Sequence, residues 1–322
     1  MSKQLNAPFL RTKATDQGIM RDVLIALVPV SMMAVINFGY RALMMLVLGV
    51  VSAVFFEYAY QKLTNREVTV RDLSAAVTGL LLGLSLPVNA PLWMVVFGTA
   101  VAILVIKQLP GGIGRNTFNP AVFSRVLITI LFSPLITDWV LPGTDGVTAA
   151  TPLSFIGDGS RAVPAEAPSF YDAFMGHIGG NMGEMVKWAI LLGFAYLVIR
   201  RVISVWVPLA MLAGLFLTTL LFGESDPSFA LYHVITGTAM FAAVFMVTDY
   251  TSGPLVFKAK IYYALLIGIL TGVIRYSFAL PGGVGIAILI MNLLAPVLDG
   301  ACTPRVFGHK GRVIPTSSVF RR

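Results

Sequence analysis

Cysteine is nearly absent from this chain: Cys302 is the only one in 322 residues. An internal disulfide is therefore excluded. Histidine is almost as scarce, and His177, His233 and His309 stand far apart. One cysteine and three separated histidines do not supply the four ligands that a protein-held iron–sulfur cluster takes. Ligand count leaves room for a haem held by two histidines, but no spacing supports one. A redox group held by this chain alone is thus expected to be organic, and no metal site is expected. Charge is also thin: 12% of residues are Asp, Glu, Lys or Arg, against about 25% in a soluble domain. The P-loop lysine pattern and a nicotinamide-binding motif are both missing. No cleavable signal pattern precedes the first apolar run, because the opening residues are polar, with Lys3, Arg11 and Lys13, and no small-residue cleavage site follows the run.

What is there is apolar. Hydrophobic residues make up 57% of the chain and mean hydropathy is +0.84. A chain of this kind cannot hide its apolar surface from water, so the lipid bilayer is its expected surrounding. The net charge of +8 does not point to nucleic acid, since the basic residues are scattered between apolar segments. Ten such segments are visible, near 20–37, 41–60, 73–87, 91–108 and 118–136, then 185–204, 206–222, 230–249, 260–275 and 284–299. Several fall short of the ~20 residues of a straight span. The third, eighth and tenth are short or interrupted, as expected of broken helices that line a central site.

The two halves echo one another. Val77-Thr78-Gly79 pairs with Ile235-Thr236-Gly237, Leu109-Pro110-Gly111-Gly112-Ile113-Gly114 with Leu280-Pro281-Gly282-Gly283-Val284-Gly285, and Asn119-Pro120 more loosely with Asn292 and Pro296. The order is the same in both halves, which implies an internal duplication. Five is odd, so the second half enters from the opposite side and the repeats are inverted. The expectation is an all-α integral membrane protein of about ten transmembrane helices in two inverted five-helix repeats, some helices broken. Residues 1–136 form the first repeat, 137–184 an extracytoplasmic loop, and 185–322 the second repeat with a cytoplasmic tail. Basic residues support this orientation, with both termini in the cytoplasm. Lys62, Arg66, Arg71, Lys107, Arg115, Arg200, Arg201, Lys258 and Lys260 fall on inside loops. Asp145, Asp158, Glu166, Asp172, Glu224 and Asp226 collect outside.

Within the outer loop, Asp145-Gly146-Val147-Thr148-Ala149-Ala150-Thr151-Pro152-Leu153 resembles the motif Asp-x-x-(Ser/Thr)-Gly-Ala-Thr. There, flavin mononucleotide (FMN) is joined to threonine in membrane subunits of redox-driven ion pumps. Ala149 stands where that motif usually has Gly. With the glycine runs, Phe118-Asn119-Pro120-Ala121, Thr248-Asp249, Ile274-Arg275, Asn292, Asp299 and the tail Thr303-Pro304-Arg305-Val306-Phe307-Gly308-His309, the chain resembles a family over nearly its whole length. The family comprises the D subunit of the Rnf complex, an ion-translocating ferredoxin–NAD oxidoreductase, and the homologous B subunit of the sodium-pumping NADH–quinone oxidoreductase. Thr117 and Tyr276-Ser277-Phe278 depart from its usual pattern.

The resemblance implies a covalent FMN on Thr151, on an accessible loop. Thr148, the competing hydroxyl, Asp145 and Ala150 would serve in recognition by a dedicated flavin transferase. It implies a bacterial inner-membrane complex with Rnf subunits A, B, C, E and G. Ferredoxin and NAD would be handled by those partners, so no catalytic residue and no turnover are expected of this chain by itself.

Other residues keep two readings. Asn119 and Asn292 either hold a second ligand, such as a non-covalent flavin, or satisfy freed backbone groups. Charges at mid-membrane are costly, so Glu57, Asp249, Arg275 and Asp299 merit notice. All four lie near segment ends; Glu57 and Asp299 read as interfacial and Asp249 as an ion-pathway carboxylate. Trp93, Trp139, Trp188 and Trp206 read as an interfacial aromatic belt. The inverted repeat is also similar to urea transporters, which leaves a small-solute channel as the alternative. Only Thr151 and its motif separate the two.

Overall fold

In the computed structural model, residues 15–137, 139–142, 151–154, 163–164, 167–278, 280 and 282–303 are described. Regular structure among them is helical throughout, with no strand element. Helix α1, Asp16–Leu63, opens on Thr15, whose side chain accepts from the Gly18 amide. At about 1.5 Å per residue, its 48 residues would far exceed the ~30 Å hydrocarbon core. Gly39 breaks it, with φ 65° and ψ −148°, a conformation essentially open to glycine alone. The exposed residues of α1 form one apolar stripe, Ile25, Val28, Met32, Ile36, Tyr40, Leu43, Val47, Val51 and Phe55. On each side of Gly39 this i, i+3, i+4 spacing marks a helix face, and an exposed apolar face of this kind fits a membrane or partner surface.

The chain continues with α2, Ser74–Leu84, and α3, Leu92–Ala100, which runs on into a π-helical stretch, Val101–Gln108. Helix α4 is Pro120–Leu131. A short helix, α5, Phe170–Met175, interrupts the polar stretch. Ser169 caps it and donates to Asp172, which holds that exposed carboxyl below its usual value. Six further helices follow: α6 Lys187–Ile199, α7 Trp206–Phe222, α8 Pro227–Ile235, α9 Ala239–Phe245, α10 Phe257–Phe278 and α11 Gly283–Cys302. By length and composition α1, α10 and α11 are each able to cross a membrane, as is the α8–α9 pair if its 57° bend is one broken span. This is a multi-pass membrane protein.

Tight crossings hold the helices. A Cβ on Gly79 of α2 would lie 2.2 Å from the Gly49 carbonyl and 2.9 Å from the Ala53 Cβ of α1. A Cβ on Gly268 of α10 would lie 2.0 Å from the Met211 carbonyl of α7. Small residues four apart, Gly49 with Ala53 and Gly268 with Gly272, let backbones approach so closely.

Local echoes between the halves differ in conformation. Thr78 lies inside α2, its hydroxyl donating to the Ser74 carbonyl, whereas Thr236 and Gly237 form the break between α8 and α9. Gly111, Gly112 and Gly114 have positive φ in the loop before α4, but Gly282 has φ −79° and Gly283 begins α11. The expected interruption of the tenth segment is absent: α11 runs through Pro296 as one helix. Lys107, expected on an inside loop, is instead 3% exposed on the π-helical stretch.

Candidate functional site

Two cavities lie at opposite ends of α4. Asn119, Pro120 and Ala121 line the first, while Val122, Arg125, Val126 and Thr129 line the second. The second set recurs at i, i+3, i+4 and i+7, so one face of α4 forms a wall. This second cavity, of about 330 Å³, is the one that contains Thr151. Its volume reaches the lower end of small-molecule pockets, about 300 Å³.

Thr151 precedes a single 3₁₀ turn, Pro152–Ser154. It is 8% exposed and lies on the wall of the cavity, not on an exposed loop tip as expected. Leu153 anchors the turn, since a Cβ on Gly237 would meet its Cδ1 at 2.7 Å. Asp145, Thr148 and Ala150 lie outside the described residues. Arg125, Trp139, Asn181 and Glu184 share the wall. The Arg125 guanidinium donates to Asn181 Oδ1 at 3.3 Å, and Glu184 Oε1 accepts from the Asn181 amide at 3.0 Å.

The first cavity, about 230 Å³, is lined by two residues singled out from sequence, Asn119 and Asp249, and Asn292 packs against Asn119. Asn119 caps α4, its Oδ1 accepting from the amides of Ala121 and Val122. Its Nδ2 donates to Asp249 Oδ2 at 3.3 Å. Asp249 also accepts from the Thr251 amide at 3.0 Å and from the Ser252 hydroxyl at 2.8 Å. With its amide turned to suit its neighbours, Asn292 accepts from the Asn119 amide at 3.0 Å and donates to Tyr263. The backbone-satisfying role is thus visible for both asparagines, beside a carboxylate on the cavity wall.

Glu57 is fully buried within the protein, 2.8 Å from Lys107 Nζ, and accepts from Gln108 Nε2 at 2.7 Å. Burial explains the pairing: a charge withdrawn from water needs a partner. Asp299 accepts from the amides of Leu255 and Val256 and so ties α11 to the segment before α10. Arg275 is 6% exposed and donates to the His233 carbonyl at 2.6 Å.

Sequence reasoning singled out neither Arg125 nor Glu184, and it gave Trp139 no role beyond an interfacial belt, although Trp139 also lines the Thr151 cavity. The signal for Arg125 was present: a charge inside the fifth apolar segment.

The family described as NQR2, RnfD, RnfE matches residues 3–308. The chain belongs to that family. It is 37% identical over 306 residues to the D subunit of the Na(+)-translocating ferredoxin:NAD(+) oxidoreductase complex of Acetobacterium woodii, covering 94% of each chain. It is 34% identical over 316 residues to the D subunit of the proton-translocating ferredoxin:NAD(+) oxidoreductase complex of Clostridium ljungdahlii, covering 95% of this chain and 96% of that one. The D subunit of the ion-translocating oxidoreductase complex of Alcanivorax borkumensis is 35% identical over 332 residues, covering 94% and 96%. The match to these relatives covers nearly their full length, so it takes in both cavities and the buried charges of this member of the NQR2, RnfD, RnfE family.

Proposed function

We propose that this chain is the D-type membrane subunit of an ion-translocating ferredoxin:NAD(+) oxidoreductase complex, and that Thr151 carries FMN through a phosphodiester. Full-length similarity to proteins so named supports the complex. The observation that supports the flavin is Thr151 at the wall of a 330 Å³ cavity. Arg125 and Trp139 on that wall fit an aromatic, phosphate-bearing group. Bound there, the flavin supplies one-electron transfer; the chain's own residues hold and orient it and exclude water. A residue 8% exposed is closed to a transferase, so attachment precedes the packing of the Pro152–Ser154 turn.

The proposed frame is ten spans in two inverted repeats. The broken α1 counts as two, with α2, α3 and its π continuation, and α4 completing the first repeat. Helices α6, α7, the α8–α9 pair, α10 and α11 make the second. The termini then lie in the cytoplasm of an inner membrane and Thr151 on the periplasmic side. The other Rnf subunits (A, B, C, E and G) supply the ferredoxin and NAD chemistry. The cavity with Asn119 and Asp249 takes the ion, or a second, non-covalent flavin; its carboxylate and amides suit either.

In-gel flavin fluorescence under denaturing conditions tests Thr151. Wild type co-expressed with a flavin transferase fluoresces, and Thr151→Val does not. A dark wild type, with the transferase active on a control substrate, removes the reading and favours a channel. For the ion path, Asp249→Asn slows ion pumping by the assembled complex. Pumping at the wild-type rate would dismiss that carboxylate.

A further inference from the structure

The wall behind Thr151 carries more positive charge than it can neutralise. Lys187 is fully buried, and Arg275, Glu184, Asn181 and His233 are each at most 6% exposed. With Arg125 on the cavity wall, three cations face one carboxylate among the described residues. Their hydrogen bonds go mainly to neutral atoms. Lys187 donates to the carbonyls of Glu184 and Gly237, Arg275 to the His233 carbonyl, and Arg125 to Asn181 and Thr129.

Several polar atoms there have no partner at all: Arg275 Nε and Nη2, Glu184 Oε2 and His233 Nδ1. Removing one charge from water costs several kcal/mol unless it is paired (roughly, and more for an isolated ion). An excess of buried cations therefore marks a place that receives an anion. The opening toward the cavity is Gly237, with φ 67°. A Cβ there would lie 3.2 Å from Arg275 Nη2, so the absence of a side chain leaves the guanidinium only one residue away from the cavity.

We propose that the Thr151 cavity is an anion site, in which Arg125 on the wall and Arg275 and Lys187 behind Gly237 neutralise a phosphate brought into it. Taken as the phosphate of the flavin, the site rests on the reading of Thr151 given above. Neutralisation would hold the phosphate end, and Trp139 on the same wall would be available to the ring. Glu184 keeps the cluster from binding too broadly, because its free oxygen repels a second anion.

The experiment uses the complex carrying Thr151→Val, purified in detergent and washed free of phospholipid, so that neither covalent attachment nor a lipid headgroup contributes. FMN and riboflavin are titrated and followed by flavin fluorescence. FMN binds at least tenfold more tightly than riboflavin, and inorganic phosphate competes for that advantage. In Thr151→Val with Arg275→Gln or Arg125→Gln the advantage falls to near one, while Arg275→Lys retains most of it. Equal affinities for the two flavins, or an advantage that survives both glutamine variants, would overturn the proposal. Should a double variant fail to assemble, phosphate in place of chloride raises the melting temperature of otherwise wild-type complex prepared without the transferase, and raises it less in Arg275→Gln. No rise, or an equal rise, counts against the site. Because phosphate is the probe in this arm, a wild type without covalent flavin would defeat the Thr151 reading and leave the anion site separately decided.

Discussion

At the scale of single residues, a few charges are withdrawn from water, Glu57, Lys107, Glu184, Lys187 and Arg275 among them. Glu57 and Lys107 form a buried pair 2.8 Å apart. Removing one member leaves an uncompensated charge, at a cost of about 3–5 kcal/mol, whereas an apolar pair of similar volume is often neutral. Lys107→Met should therefore lower the melting temperature of the purified complex markedly, and Glu57→Leu with Lys107→Met should recover most of the loss. An unchanged melting temperature in the single variant would contradict the burial of this pair. Gly237 tests the opposite constraint. Its φ of 67° is strained for any other residue, and a methyl group there would push the Leu153 Cδ1 aside. Gly237→Ala is expected to displace the Thr151 turn and to reduce covalent flavin several-fold, read as fluorescence per unit of protein.

At the scale of elements, backbone proximity decides which helices pair. On α10, Gly268 meets the α7 backbone so closely that a leucine would force the helices apart, an overpacking cost of about 1–3 kcal/mol or more. Gly300, near the end of α11, has nothing within 4 Å of where its Cβ would be. Gly268→Leu should cut the amount of protein accumulated in membranes several-fold, and Gly300→Ala should leave it unchanged, both by immunoblot. Equal accumulation of the two would show that the α7–α10 crossing is looser than these distances. The π-helical stretch Val101–Gln108 is an element that periodicity did not signal. Such stretches often occur at functional sites, and this one buries Ile106, Lys107 and Gln108 in succession. That is how a lysine counted as a loop cation comes to face Glu57.

At the scale of the whole molecule, the two cavities at opposite ends of α4 give the proposed orientation a direct test. Cys302 is first replaced by alanine, and single cysteines are placed at Tyr171 and at Arg201. A membrane-impermeant thiol reagent should label the cysteine at 171 in intact spheroplasts, and the one at 201 only in inverted vesicles. Both positions labelled from one side would break the ten-span proposal, since it makes α6 a single span between these two loops.

Membrane residence and helical class were legible from residue order alone. These depend on composition and on spacing along the chain, which sequence carries directly. Family membership follows from the same ordered motifs. Asn119, Asn292 and Asp249 were each noticed, but their meeting was not, because contacts across more than a hundred residues depend on how helices cross. The same holds for the Glu57–Lys107 pair and for the cations gathered behind Gly237. Burial of Thr151 was likewise decided by tertiary structure: a polar motif in a polar stretch reads as exposed, and only the packing of Leu153 against Gly237 draws it into a cavity.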